Sequence, residues 1–210
     1  MTRVKICGLT RPDDVGLAVE LGAAWIGFNF AAASPRRVDA RRAEELSRAG
    51  GPSALRVGVF VTESPAAIRE AVEAARLDLV QLHRPLRLED VEESPAPIVA
   101  VAHVGPSGPD LPPDALLARC AALLFDTRVP GLPGGTGKAY DWRAVAGRGS
   151  AVPVLLAGGL SPDNVADAIR AARPFGVDVA SGVESSPGVK DPARLRRFFE
   201  AVARADTDAA

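Results

Sequence analysis

Two side chains in this sequence have types and positions suited to moving protons between them. Val4-Lys5-Ile6-Cys7 is a short apolar run that delivers a thiol to its C-terminal end and then breaks at Gly8. Ala122-Leu123-Leu124-Phe125-Asp126 delivers a carboxyl group in the same way. Side chains alternate along a strand, so Lys5 and Cys7 share one face while Val4 and Ile6 share the other. If both runs line the inside of one parallel barrel, thiolate and carboxylic acid stand at its rim as a base and an acid. Proton transfer in both directions, with no redox partner and no metal cluster, describes isomerisation rather than hydrolysis or hydride transfer. A free thiol titrates near about 8.5, so it is a usable base at neutral pH only if something stabilises the thiolate, and Lys5 is placed to do so. The competing readings are a buried cysteine acting as a small hydrophobe and a carboxylate that caps a helix or braces a loop.

Other polar groups also gather at the ends of apolar runs. Ser34-Pro35-Arg36-Arg37 follows the second run and presents guanidinium groups, and Gln81-Leu82-His83 ends the fourth. After Asp126 comes Pro130-Gly131-Leu132-Pro133-Gly134-Gly135-Thr136-Gly137, rich enough in glycine to fold over a ligand. The last two runs end in Gly158-Gly159-Leu160 and Ser181-Gly182-Val183-Glu184. Backbone N–H groups after the seventh and eighth strands of a barrel converge on phosphate, and glycine lets the chain approach it closely. The alternative is that Gly158 and Gly159 only make the tight turn into the next helix. His83 and His103 are too few and too scattered for a usual metal site; His83 reads as a polar group of the pocket wall and His103 as a solvated loop residue. Cys120 precedes the sixth run, which puts it at the far end of a barrel from Cys7 and beyond the roughly 7 Å that a disulfide spans between Cα atoms. Its role reads as packing.

The elements that would position these groups form a regular series. Apolar runs occur at 4–7, 25–30, 55–61, 79–82, 98–102, 122–126, 152–157 and 177–180, and amphipathic segments at 12–21, 40–49, 65–75 and 162–172 lie between them. Proline near the first turn opens several of the latter. Strands alternating with helices imply a parallel sheet with right-handed crossovers. Eight such units in 210 residues predict a single (β/α)8 barrel over 1–205, with an open doubly wound sheet as the runner-up. Prolines at 85, 95 and 97 predict a short helix near 88–93, and 103–113 reads as a surface loop before a short helix at 114–119. The polar tail at 206–210 should fray. Hydrophobic residues make up 47% and charged residues 24% of the chain, and the net charge is -1. That balance is ordinary for a soluble globular protein and lacks the basic surplus of a nucleic-acid binder. No apolar run is long enough for a membrane span and no signal peptide pattern is present, so a cytoplasmic protein is expected.

Seven stretches carry a family likeness in order and spacing. They are Lys5-Ile6-Cys7-Gly8-Leu9-Thr10; Gly27-Phe28 with Ser34-Pro35-Arg36; Val57-Gly58-Val59-Phe60-Val61; Val80-Gln81-Leu82-His83; Asp126-Thr127 with Gly134-Gly135-Thr136-Gly137; Ala157-Gly158-Gly159-Leu160-Ser161-Pro162-Asp163-Asn164-Val165; and Val177-Asp178-Val179 with Ser181-Gly182-Val183-Glu184. Together they resemble the phosphoribosylanthranilate isomerase family over residues 3 to about 200. The resemblance implies that Cys7 is the general base, Asp126 the general acid and Arg36 the anchor for the anthranilate carboxylate. It also implies a phosphate site at Gly158, Gly159, Ser181 and Gly182, and the strand-end and loop residues Gln81, His83 and Gly135 are expected as further substrate contacts. The implied reaction is an Amadori rearrangement of N-(5-phosphoribosyl)anthranilate in tryptophan biosynthesis. It needs no cofactor and no metal, and the protein is expected as a monomer or homodimer with a phosphosugar-anthranilate as its small-molecule partner. There are three departures from the family pattern: Arg84 stands where glycine is usual, Ala31-Ala32-Ala33 lacks the usual aromatic and lysine, and Ala157 replaces a frequent serine.

The alternatives are a sugar-phosphate epimerase or lyase on the same barrel, and a non-catalytic phosphate-binding module. Metal-dependent epimerases need several His and carboxylate ligands at strand ends, and Schiff-base aldolases need a lysine there. Strand parity gives one further expectation. The eighth strand of a barrel closes against the first, and Asp178 and Lys5 both have inward parity. They are expected to form a buried ion pair below Cys7.

Overall fold

The computed structural model describes residues 1–127, 141–148 and 151–208. Eight parallel strands form the frame: β1 Arg3–Ile6, β2 Trp25–Asn29, β3 Leu55–Phe60, β4 Leu79–Leu82, β5 Ile98–Gly105, β6 Ala122–Thr127, β7 Val154–Leu156 and β8 Gly176–Val179. Each pairs with the next, β8 pairs with β1, and the sheet closes into a barrel. Closure pairs each of the eight barrel strands on both sides. The helices are α1 Pro12–Glu20, α2 Ala40–Gly50, α3 Pro65–Ala75, α4 Leu88–Glu93, α5 Asp114–Leu117, α6 Val165–Ala172 and α7 Pro192–Asp208. This is the (β/α)8 architecture.

The period of two along each strand divides the apolar residues into two cores. Trp25, Val57, Leu79, Val99, Val101, Ala122, Leu124, Leu155 and Ala157 fill the barrel interior. Their sequence neighbours, among them Ile6, Ile26, Phe28, Phe60, Val80, Leu82, Leu123, Phe125 and Val177, face outward and pack under the helices. The interior parity does not stop where the apolar residues stop. Continued to the C-terminal rim, it reaches Cys7, Gln81, His83, His103, Asp126 and Asp178, which is why these polar groups converge.

Local signals set the helix starts. Pro12 and Pro65 open α1 and α3, and the side chains of Asp39 and Ser64 accept from Arg42 N (2.7 Å) and Ala67 N (3.3 Å) to cap α2 and α3. Several expectations are corrected. The helix expected at 162–172 begins only at Val165, because residues 161–164 form a turn in which Asn164 Oδ1 accepts from Ser161 N at 2.8 Å. The stretch after residue 102 is no loop: β5 runs on to Gly105 and folds back in a hairpin on Gly108–Pro109. His103 is therefore a strand residue opposite Asp126 rather than a solvated loop group. Over the tail expected at 206–210, α7 continues to Asp208, where Asp206 accepts from Thr2 N (2.7 Å) and Thr2 Oγ1 (2.6 Å), and 209–210 lie outside the described residues. No helix among the described residues is long and apolar enough to cross a membrane.

Candidate active site

A cavity opens at the C-terminal end of the barrel. Cys7 and Asp126 both line it, as do Gln81, His83, Arg36, Gly158, Gly159 and Ser181. Cys7 continues the line of β1, and its backbone is held on both sides: its N–H donates to Val179 O at 2.9 Å and its carbonyl accepts from Lys190 Nζ at 2.7 Å. Gly27 leaves space beside it. A Cβ there would lie 3.0 Å from Cys7 Sγ and 3.3 Å from Lys5 Cε.

One layer lower, Lys5 Nζ donates to Asp178 Oδ2 at 2.9 Å. The two residues are directly opposite in the β1–β8 register, and the Lys5 side chain is fully buried. The parity expectation holds. Burial works against the Lys5 ammonium, but the charges of Asp178 and Cys7 outweigh it and its pKa is raised. For Cys7 the outcome differs from the sequence reading. Burial pushes the thiol above its ordinary value, Lys5 and Lys190 pull it back, and Asp178 adds to the rise. Lys5 does favour the thiolate, as expected, yet desolvation is the larger effect.

On one flank of the cavity the loop 31–36 is braced by its own side chains. Asn29 Oδ1 accepts from Ala31 N at 3.0 Å and Ser34 Oγ from Arg36 N at 3.1 Å. Arg36 lines the cavity whereas Arg37 is exposed and does not. The Arg36 guanidinium is already engaged, with Nε 2.9 Å from Glu184 Oε1 and Nη2 2.7 Å from Glu184 Oε2. This hydrogen-bonded pairing raises the Arg36 pKa. Gly8 has a left-handed φ of 69°, and any Cβ on it would run into the Arg36 stem. Glycine serves two needs there at once.

On the other flank Gly158 and Gly159 both have positive φ, 83° and 69°. Asn164 holds their loop by donating from Nδ2 to Gly159 O at 2.9 Å. Gly182 does not line the cavity; it packs behind it, where a Cβ would collide with Leu160 O. The two glycine-bearing loops thus touch, which brings Gly158, Gly159 and Ser181 to one side of the opening. Gly135 and the rest of its glycine-rich loop lie outside the described residues.

Gln81 Nε2 and His83 Nε2 are 2.6 Å apart, and His83 Nδ1 faces Asp126 Oδ2 at 3.9 Å. Burial, with Lys5 and His103 adding to it, lowers the His83 pKa to about 3, so its imidazole is neutral. The His103 ring is 5.9 Å from that of His83. Arg84, by contrast, is not in the cavity. It turns away to pair with Asp90 on α4 at 2.5 and 2.6 Å, so this departure from the family pattern leaves the site's charge alone. Ala31, Ala32 and Ala33 do line the opening.

Comparison with known proteins agrees with this geometry. The family model described as N-(5'-phosphoribosyl)anthranilate isomerase matches residues 4–201. The chain belongs to this isomerase family. It is 44% identical over 200 residues to N-(5'-phosphoribosyl)anthranilate isomerase of Pseudomonas aeruginosa strain LESB58, covering 95% of this chain and 94% of that one. Phosphoribosyl anthranilate isomerase from Thermotoga maritima superposes with a TM-score of 0.84 at 34% identity, over 97% of this chain and 100% of the other. A phosphoribosyl anthranilate isomerase in complex with reduced 1-(o-carboxyphenylamino)-1-deoxyribulose 5-phosphate superposes with a TM-score of 0.80 at 32% identity, again over 97% and 100%.

Two polar residues that support this isomerase site have no role in the sequence reading. Glu184 enters it only as the end of a motif, and Lys190 does not enter it at all. Lys190 reaches the site from the short strand Val189–Lys190, which pairs antiparallel with the strand Glu184–Ser186 ahead of α7, and nothing local in Gly188-Val189-Lys190-Asp191 signals a buried ammonium. Cys120 sits as expected, buried and bonded to Leu116 O at 3.4 Å, its pKa pushed up to about 11 by burial.

Proposed function

We propose that Cys7 and Asp126 are the base and acid with which this chain carries out its family's reaction, the Amadori rearrangement of N-(5'-phosphoribosyl)anthranilate to 1-(o-carboxyphenylamino)-1-deoxyribulose 5-phosphate. The observation that carries the reading is that a thiol just past the end of β1 and a carboxyl group on β6 line one cavity, flanked by a guanidinium on one side and paired glycine loops on the other.

Protonated Asp126 gives its proton to the furanose ring oxygen. The bond from that oxygen to C1 breaks, and the lone pair of the anthranilate nitrogen closes a C1–N double bond, so the ring opens to an iminium. The Cys7 thiolate removes the proton on C2, and those electrons form the C1–C2 double bond of an enolamine. Transfer of the enol proton to the Asp126 carboxylate and of the thiol proton to C1 gives the ketone and resets both groups. No proton is gained or lost overall. Burial holds the thiol above its ordinary pKa and so favours the protonated form, and Lys5 supplies the opposing field that favours the thiolate.

Binding at both ends presents C1 and C2 to these groups. Gly158, Gly159 and Ser181 face the phosphate, with Gly182 giving the close loop packing that shapes this side. Arg36 takes the anthranilate carboxylate. Gln81 Oε1 is buried with no hydrogen-bond partner among the described residues and is available to a sugar hydroxyl. His83, beside it, and Gly135 complete the proposed substrate contacts.

The direct test follows loss of fluorescence of freshly prepared phosphoribosylanthranilate. Cys7→Ala and Asp126→Asn should each lower turnover by at least about a hundredfold, the usual scale of a general acid or base, while circular dichroism stays unchanged. Cys120→Ala should match the unmodified chain. Near-full turnover in Cys7→Ala would remove the thiol from the mechanism.

A further inference from the structure

The Arg36 guanidinium does not meet the cavity as a simple cation. It is paired edge-on with Glu184, a carboxylate that is itself buried, and that pair taken alone has no net charge. A neutral pair is a poor anchor for an anionic ligand. Lys190 changes the sum. Its ammonium is fully buried and donates to Glu184 Oε1 (2.9 Å), Cys7 O (2.7 Å) and Ala180 O (3.1 Å). Three oxygens around one nitrogen need three N–H donors, which a lysine has only when protonated. The cluster Arg36, Glu184, Lys190 therefore carries one net positive charge.

Glu184 is fully occupied. Its Oε1 also accepts from Arg36 Nε at 2.9 Å and Gly188 N at 3.3 Å, and its Oε2 from Arg36 Nη2 at 2.7 Å. Both Glu184 and Lys190 lie outside the cavity lining. Lys190 is held in turn by its backbone N–H, which donates to Asp14 Oδ2 on α1 at 3.0 Å. The arrangement fixes the plane of the guanidinium from behind and leaves Nη1 without a hydrogen bond to Glu184. A long, rotamer-rich side chain held this way loses less freedom when a ligand binds.

We propose that Glu184 and Lys190 are positioning residues for the carboxylate-binding end of the site, Glu184 orienting Arg36 and Lys190 restoring the positive charge that Glu184 cancels. This rests on the reading of Arg36 as the carboxylate anchor. Removal of Lys190 leaves the Arg36–Glu184 pair neutral toward the incoming carboxylate. Removal of both the Glu184 and Lys190 charges returns the net charge of one to Arg36 and strands no buried ion.

The test measures binding of two probes, inorganic phosphate and the reduced product analogue that carries both a phosphate and an anthranilate carboxylate. Lys190→Met should weaken the analogue by about tenfold or more and leave phosphate unchanged, the scale of losing one unit of positive charge close behind the guanidinium. Glu184→Gln/Lys190→Met should bind the analogue within about threefold of the unmodified chain, because the introduced amide oxygen still accepts from Arg36 and the net charge is restored. The double variant does not depend on a stranded charge for its fold, so it decides the matter by itself: a selective loss of tenfold or more there overturns the proposal. Equal loss of both probes in a folded Lys190→Met overturns it as well. Arg36→Met separates the two readings. If it leaves the analogue's affinity intact, the anchor assignment is wrong; if it costs affinity while Lys190→Met costs none, the anchor stands and the charge role of Lys190 falls.

Discussion

Charge and burial oppose one another at Cys7, and the balance can be moved by single groups. Burial and Asp178 raise the thiol's pKa while Lys5 and Lys190 lower it. Asp178→Asn removes one raising influence and keeps a side-chain oxygen to hold Lys5 in place. The pH at which iodoacetamide reacts half-maximally with Cys7 should therefore shift down, and the rising limb of kcat/KM should shift with it. A shift upward would mean that Asp178 acts chiefly by holding Lys5 in place.

His83 gives a second residue-scale expectation, on stability. Its folded pKa of about 3 lies below the ordinary value of 6.5, so the unfolded chain binds a proton that the folded one refuses. Stability is then fully present above pH 6.5 and is lost as the pH falls toward 3. The loss from this group should reach about 2 kcal/mol by about pH 5. Urea unfolding of the unmodified chain and of His83→Gln at about pH 7.5 and pH 5 should show a smaller acid loss in the variant. Parallel slopes would place the acid sensitivity elsewhere.

Among the elements, the β1–β8 seam matters most for the site. It closes the barrel, sets Lys5 opposite Asp178, and ties the end of β1 to the end of β8 through the bond from Cys7 N to Val179 O. Asp178→Ala strands the Lys5 ammonium in the interior, at a cost of roughly 3 to 5 kcal/mol, well above that of an exposed aspartate such as Asp13. Denaturant midpoints of the two alanine variants measure the difference. A cost for Asp178→Ala no greater than for Asp13→Ala would show that the pair is not the buried brace that its geometry describes. Parity makes this pair legible from sequence, since a period of two and the closure rule place both residues inside the barrel without any knowledge of their contacts. The same reasoning stops short at His103, because its proline- and glycine-rich surroundings read as a loop, which has no parity.

Across the whole molecule, the first and last elements are joined. Thr2 donates twice to Asp206, which lies within α7, and this tie holds the start of β1 against the end of the chain. Asp206→Ala should lower stability by about 1 kcal/mol, the usual net worth of such hydrogen bonds. It should also raise amide exchange over residues 203–208 without changing turnover. Fast exchange there in the unmodified chain would instead support a frayed end. A polar composition alone points to fraying, because a local reading has no access to a partner 204 positions away.

The amino-acid order by itself determined the barrel, the inward or outward sense of the residues it reads as strand, and the short set of strand-end groups at which chemistry could sit. All of these depend on periodicities of two and 3.6 and on turn residues, which are local properties of the chain. Seven motifs in order were enough to point to the isomerase family. Only the tertiary structure decided what those groups experience. Desolvation of Cys7, the neutral imidazole of His83 and the engagement of Arg84 by Asp90 each depend on what is packed around a side chain. So does the pairing of Arg36 with Glu184, because neither stands on one of the eight barrel strands and so neither parity nor closure fixes its partner. Lys190 is the clearest case: its sequence surroundings are those of an ordinary surface turn, and its ammonium is buried because three oxygens from the ends of β1 and β8 and the strand that follows converge on it.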